Sequence, residues 1–253
     1  MTLPLPGTPP EPDGHAGETY GAVLVRASDA DRAAVIDALR AIRFSGWVAA
    51  PDDGWLPVIG EPGDGTVAAG RRGVLEVAAA LAERFATTAF AVRVRADRQL
   101  VLAAWTSGTE LGRYSSDPSR DPGADDEVLA EPHGAEHADA FAIAVGRPEA
   151  AEKLAELLGE ELDPDSVFES ERLAGVLDLL GMPRWIVAAA ALPRDIPTGP
   201  RARDLVRLGA GSPGAVGRLR GRAAAMARRR MPPPPAIADP PRAGDLGIDP
   251  WLL

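Results

Sequence analysis

Two histidines four residues apart, His133 and His137, enclose Glu136 in the segment His133-Gly134-Ala135-Glu136-His137. H-x-x-E-H is the order used by inverted zinc proteases, where one helix face presents two imidazoles to the metal and the glutamate acts as general base. A third protein ligand, commonly a carboxylate well downstream, completes such a site. The neighbouring residues argue against that chemistry here. Pro132 and Gly134 put His133 at a helix start or in a loop, out of register with His137, and no glutamate follows Glu171. The competing reading is a solvated helix start, with Glu136 near the positive end of the helix. A metal-dependent hydrolase using His133, Glu136 and His137 therefore stands as the alternative to a non-enzymatic protein.

Little other conventional chemistry is on offer. The chain of 253 residues has three histidines and no cysteine, which excludes disulfides, thiolate catalysis, Cys-ligated zinc and iron–sulfur clusters. No cofactor is expected. Gly209-Ala210-Gly211-Ser212-Pro213-Gly214 spells G-x-G-x-x-G ahead of a helical stretch. A dinucleotide loop needs flanking strands and an acid about twenty residues on. That position falls instead among Arg228-Arg229-Arg230 and the prolines after them, so a glycine hinge is the simpler reading. Acid pairs such as Glu160-Glu161, Asp163-Pro164-Asp165 and Glu169-Ser170-Glu171 could serve acid–base work, but charged helix faces account for them as well. Trp47 and Trp55 flank the turn Pro51-Asp52-Asp53-Gly54. They read either as packed, stacking across the hairpin, or as an aromatic surface open to a ligand.

Charge is distributed unevenly. The net charge is −10. Residues 116–172 hold seventeen acids against four bases, whereas residues 201–231 hold nine arginines and one acid, Asp204. Arg218, Arg220, Arg222, Arg228, Arg229 and Arg230 could meet nucleic acid or another polyanion through phosphate neutralisation. They lack interleaved aromatics for base stacking. Docking of this basic segment on the chain's own acidic body is the other reading. Lysine is reduced to Lys153 alone among 27 basic residues, a bias of high-GC bacterial coding rather than a functional choice of arginine. The longest uninterrupted apolar run, Trp185 to Leu192, is far short of a bilayer span, and Met1 to Gly17 lacks the basic and apolar regions of a secretory signal. A cytoplasmic bacterial protein with no membrane partner is the expectation.

The elements that must position these residues follow from periodicity. A proline- and glycine-rich leader, 1–17, is expected to be disordered. A strand over 20–26 precedes a helix over 29–42 capped by Ser28, with Val35, Ala38, Leu39 and Ile42 on one face. Two short strands around Trp47-Val48 and 55–59 form a hairpin, and Pro57 sends its strand to a sheet edge or a bulge. A second helix over 73–86 buries Val74, Val77, Ala78, Leu81 and Phe85. Phe90, Val92 and Val94 then alternate with Ala91, Arg93 and Arg95 as a half-buried strand, followed by strands over 100–106 and 111–115. The order β-α-β-β-α-β with two added strands is ferredoxin-like. After an acidic loop, helices are expected over 135–145, 148–158 and 167–180. The third is capped by Ser166, has Glu169 in a capping box, faces Val167, Phe168, Leu173, Val176, Leu177 and Leu180 inward, and is stopped by Gly181. Residues 185–192 read as a strand or a buried helical turn, and 213–230 as one Arg-rich helix.

Glu110-Leu111-Gly112-Arg113-Tyr114-Ser115-Ser116-Asp117-Pro118, then Phe168-Glu169-Ser170-Glu171-Arg172-Leu173, then Leu179-Leu180-Gly181-Met182-Pro183 together resemble a group of uncharacterised bacterial proteins. That group pairs a G-E-L-x-x-x-Y-x-S-x-P hairpin with an E-R-L…L-G-x-P helix. The resemblance spans about residues 90–190 and brings no activity with it, so it assigns no functional residue.

The sequence thus leads to an α+β protein divided into a leader (1–17), a sheet domain (18–116), an acidic helical segment packed on or beside the sheet (117–196) and a Pro/Arg-rich appendage (197–253). The expected role is non-enzymatic binding of another, basic protein, in an accessory, regulatory or antitoxin-like capacity. A nucleic-acid accessory role through the arginine segment is the second alternative.

Overall fold

The computed structural model describes residues 18–26, 29–61, 66–121, 124, 131–160, 168–209 and 226, with only the backbone of 29–31. Its elements are β1 (Tyr20–Arg26), α1 (Asp29–Ala41), β2 (Gly46–Val48), β3 (Trp55–Gly60), α2 (Val74–Phe85), β4 (Thr88–Arg95), β5 (Gln99–Thr106), β6 (Thr109–Ser115), α3 (Ala138–Val145), α4 (Ala151–Gly159), α5 (Glu169–Leu180) and β7 (Val206–Leu208). The strands form one seven-stranded sheet in the order β6-β5-β4-β1-β3-β2-β7, and every pairing is antiparallel. The protein is α+β.

Alternation along the strands creates two cores, because successive side chains point to opposite faces. Val23 and Val25 of β1, with Ala89 and Ala91 of β4, pack under Val35, Ala38 and Leu39 of α1 and Val74, Val77, Ala78 and Leu81 of α2. Ala22 and Leu24, with Phe90, Val92 and Val94, face the other way into Phe141 of α3, Leu154 and Leu158 of α4, and Leu173, Val176, Leu177 and Leu180 of α5. Helices thus cover both faces, and residues of 18–116 and of 117–196 share this second core. The alternation expected of β4 holds at Arg93, partly buried, and Arg95, exposed, and fails at Ala91. Ala91 is as inaccessible as Phe90 and Val92, since its small side chain lets α2 approach closely.

Local chemistry explains most boundaries. The Glu76 carboxylate accepts a hydrogen bond from the Gly73 amide at 2.8 Å, closing the first turn of α2. Ala86 ends the helix in the left-handed region, and Phe85 is only partly buried while Ala82 is fully so. Gly181 stops α5 in the same left-handed way. Met182 donates to the Leu177 carbonyl at 2.8 Å.

Three expectations change, and one open alternative is decided. Pro57 does not sit on an edge, since β3 lies between β1 and β2. Its carbonyl accepts from Ala49, just past the end of β2. N–H and C=O of one strand residue share a side, so the missing donor falls where that ladder has already ended.

The third helix starts at Glu169 rather than at 167. Phe168 is its N-cap in extended conformation and is 52% exposed instead of facing the core. The caps come from Asp97, in the β4–β5 turn. Its Oδ1 accepts from the Ser170 amide at 2.8 Å and its Oδ2 from the Ser170 hydroxyl at 3.1 Å. Ser166 and Val167 lie outside the described residues, as does Ser28.

Residues 184–191 form a 3-10 helix, with Trp185, Ile186 and Ala189 buried against the sheet. The ordered body also runs past 196. β7 pairs with β2 and closes the sheet on that side, with Leu205 and Leu208 buried.

Among the described residues no helix is long and apolar enough to cross a membrane.

Candidate functional site

His133 and His137 end up on different kinds of backbone. His133 exchanges two 2.9 Å backbone hydrogen bonds with Ser115, extending the edge of β6 by one bridge. Gly134 follows with φ +93°, and a Cβ there would lie 2.0 Å from the Arg113 carbonyl oxygen, so only glycine makes this approach. Ala135–His137 form a single 3-10 turn leading into α3. The His137 ring lies over Gly112, where a Cβ would come within 2.4 Å of it, and is tilted against Phe141 at 6.3 Å. Its Nε2 stands 3.9 Å from an exposed Glu136 carboxylate oxygen. The two imidazoles therefore share no helix face. Among the described residues no three His, Cys, Asp or Glu side chains gather as a metal-binding group.

A buried polar node, unforeseen in the sequence, ties the helices to the sheet. Arg172 is 3% exposed. Its guanidinium donates to the Tyr114 hydroxyl, to the Leu158 carbonyl at 3.1 Å and to the Glu160 carbonyl at 2.6 Å. Nε stands 3.4 Å from Glu169 Oε2 in an ion pair without hydrogen-bond geometry. Burial raises the Glu169 carboxyl above its usual range, against the opposing pull of Arg172 and of a hydrogen bond with Ser116, while Asp97 and Asp117 push further upward. Burial likewise raises Tyr114. Beside the node, buried Gln99 donates to the Ser115 hydroxyl at 3.3 Å, the Asp117 carbonyl at 2.7 Å and Asp121 Oδ1 at 3.0 Å. Arg93 reaches the same Asp121 oxygen at 3.1 Å, and burial is the main cause lowering its pKa.

The periodicity held a signal for this node. Glu169, Arg172, Leu173, Val176, Leu177 and Leu180 follow i, i+3, i+4, i+7, i+8 and i+11, so Glu169 and Arg172 lie on the inward stripe while Glu171 is exposed. The acid pair Glu169/Glu171 is thus split between core and surface. The node brings the hairpin and helix of the resemblance into direct contact, Tyr114 and Ser116 meeting Arg172 and Glu169. Inaccessible to a substrate, it holds elements together.

The tryptophan pair is corrected as a ligand surface. Trp47 is 3% and Trp55 0% exposed. Trp47 stands opposite Ile59, not Trp55, and Trp55 meets Phe90 edge-on at 5.8 Å. Arg26 lies 4.9 Å from the Trp55 ring centre and Arg207 5.6 Å from that of Trp47, so both rings are capped by cations.

Two surface features remain. All seven acids of residues 131–160 are exposed, Glu131, Glu136, Asp139, Glu149, Glu152, Glu156 and Glu160, against two bases, Arg147 and Lys153. Glu136, Asp139 and Ile143 follow i, i+3, i+7 into α3, and Glu149, Glu152 and Glu156 do the same into α4, which packs on α3. Ile143 of α3 is 58% exposed. Separately, the β2–β3 turn and the chain after the 184–191 helix enclose a cleft of about 230 Å³ lined by Ala49, Ala50, Pro51, Asp52, Trp185, Thr198, Gly199 and Pro200. Trp185 Nε1 donates to Asp52 Oδ2 at 3.0 Å across it.

Arg218, Arg220, Arg222, Arg228, Arg229 and Arg230 lie outside the described residues, as do Asp163, Asp165 and the G-x-G-x-x-G segment beyond Gly209. Compared with protein-family models, with curated proteins and with solved structures, the chain matches none.

Proposed function

We propose that this chain is a non-enzymatic cytoplasmic protein that binds another, basic protein through the outer face of α3 and α4. One observation carries the reading: residues 131–160 present seven exposed acids against two bases, and Ile143 of α3 is 58% exposed in the same stretch. A lone exposed apolar side chain is ordinary on a surface, so the weight of the reading rests on the charge imbalance. A one-sided field attracts a partner of opposite sign and sets its rate of encounter. An accessory, regulatory or antitoxin-like role fits such a surface.

Two finer readings go with it. The order β4-β1-β3-β2, with α1 and α2 on one face, supports a ferredoxin-like unit widened by β5 and β6 on one side and β7 on the other. The contact between Tyr114 and Arg172 supports kinship with the bacterial group that pairs such a hairpin and helix. Hydrolysis at His133, Glu136 and His137 draws no support from their geometry, and nucleic-acid binding rests on arginines beyond the described residues.

Affinity capture at low salt with the full chain and its Ile143→Asp variant tests the role. The wild type is expected to retain a basic protein, and the variant, melting at the same temperature, at least tenfold less of it. Equal retention by both, or none by either, would overturn the reading.

A further inference from the structure

The cleft between the β2–β3 turn and residues 198–200 is independent of the acidic face, and its lining has a different chemistry. Pro51 and Pro200 give it apolar walls, the largely buried Trp185, 8% exposed, contributes an edge, and Asp52 stands exposed at its mouth next to exposed Asp53. The frame is rigid. Asp52 and Trp55 exchange backbone hydrogen bonds of 2.8 and 2.9 Å, and the Trp185 indole is held by Asp52. A Cβ on Gly199 would come within 2.9 Å of Trp185, so the 198–200 loop is pressed against the ring. A narrow groove of prolines and one fixed indole, with carboxylates at its rim, suits an extended proline-rich strand flanked by cations. Such strands are held in polyproline II by their own rings and lose little entropy on binding.

The chain carries one such sequence, Arg228-Arg229-Arg230-Met231-Pro232-Pro233-Pro234-Pro235. We propose that this segment docks intramolecularly in the cleft, its prolines against Pro51, Trp185 and Pro200 and its arginines toward Asp52 and Asp53. Its tether fits. β7 leaves the sheet at Leu208, which pairs with Gly46, and the groove begins at Ala49, three residues along the same chain. That separation is on the order of 10–20 Å at strand rise. Residues 209–227 number nineteen. They span about 25 Å as a flexible chain and about 28 Å as a helix, enough in either case. Docked there, the basic segment would sit at the β2–β3 turn rather than on the α3–α4 face, leaving that face open.

Nuclear magnetic resonance on the labelled full chain tests this. The Trp185 indole signal, identified by its loss in Trp185→Phe, is followed with the amides of Ala49, Ala50 and Gly199. Replacing Pro232, Pro233, Pro234 and Pro235 together by serine touches no described core residue. It is expected to shift all four signals at every protein concentration, and a synthetic peptide of residues 228–235 added to that variant should return them toward the wild-type positions. Unchanged signals in the proline variant would overturn the proposal. So would a wild-type shift that grows with protein concentration, since a second copy would then supply the segment.

Discussion

The two helical layers on either side of the sheet are built on opposite terms. The α1/α2 layer meets the sheet chiefly through aliphatic, alanine and aromatic side chains, with Arg32 of α1 donating to the Val48 carbonyl at 3.4 Å. Its sequence is charge-balanced, with five acids against six bases over 29–43 and 71–85. The α3–α5 layer carries a buried guanidinium and carboxylate within its contact to the sheet and an unbalanced acidic exterior over 131–160. One layer is held chiefly by apolar packing. The other depends on a charge being answered, and it is the one that faces outward with a surplus of one sign.

The largest test of that contrast removes the charge. Arg172→Ala leaves Glu169 buried without its cation and strips a donor from Tyr114 and from the Leu158 and Glu160 carbonyls. Urea unfolding should show a loss of about 3–5 kcal/mol. A loss under about 1 kcal/mol would mean the node is ornamental. On the α1/α2 face, Leu39→Ala should cost about 2–5 kcal/mol through cavity formation. That cost should come from packing alone, because the side chains clustered with Leu39 are aliphatic and aromatic.

The pH dependence separates the layers further. The folded-state pKa of Glu169 is raised, so the native state binds its proton more readily than the unfolded chain does. The stability this provides is complete below the ordinary glutamate range and is lost as pH rises through the raised value. Glu169→Gln should flatten that slope, read from melting temperatures across pH, and an unchanged slope would place its source elsewhere. The smallest effect is expected at Tyr20, whose hydroxyl is buried without a hydrogen-bond partner and is raised in pKa by burial and by Asp97 and Glu18. Tyr20→Phe should leave stability unchanged or raise it by about 1 kcal/mol in urea unfolding. A loss would reveal a partner for that oxygen.

The same contrast governs what the sequence disclosed. α1 and α2 and the strands around them were legible, because Val35, Leu39, Val77 and Leu81 repeat at the helical period over a plain apolar face. The α3–α5 layer was harder to read because long-range partners decide it. The start of α5 is set by Asp97, 73 residues earlier, so a cap sought at Ser166 misplaced Phe168. Arg172 stood on the apolar stripe in plain view, but its acidic neighbours made a charged surface the easier reading. β7 escaped notice because three residues, Val206–Leu208, carry no period and exist as a strand only through β2. At His133 to His137 the proline and glycine already broke the helix that H-x-x-E-H needs, and the backbone follows them.

The claim that the acidic layer is the working face is tested most directly by its charge. The full chain and a Glu149→Gln, Glu152→Gln, Glu156→Gln variant, matched in melting temperature, would be used in parallel for capture at about 50 mM salt, where surface charges are weakly screened. The account predicts a basic partner that the wild type retains, that physiological salt weakens, and that the variant retains at least tenfold less. A partner held equally by both proteins and indifferent to salt would contradict it.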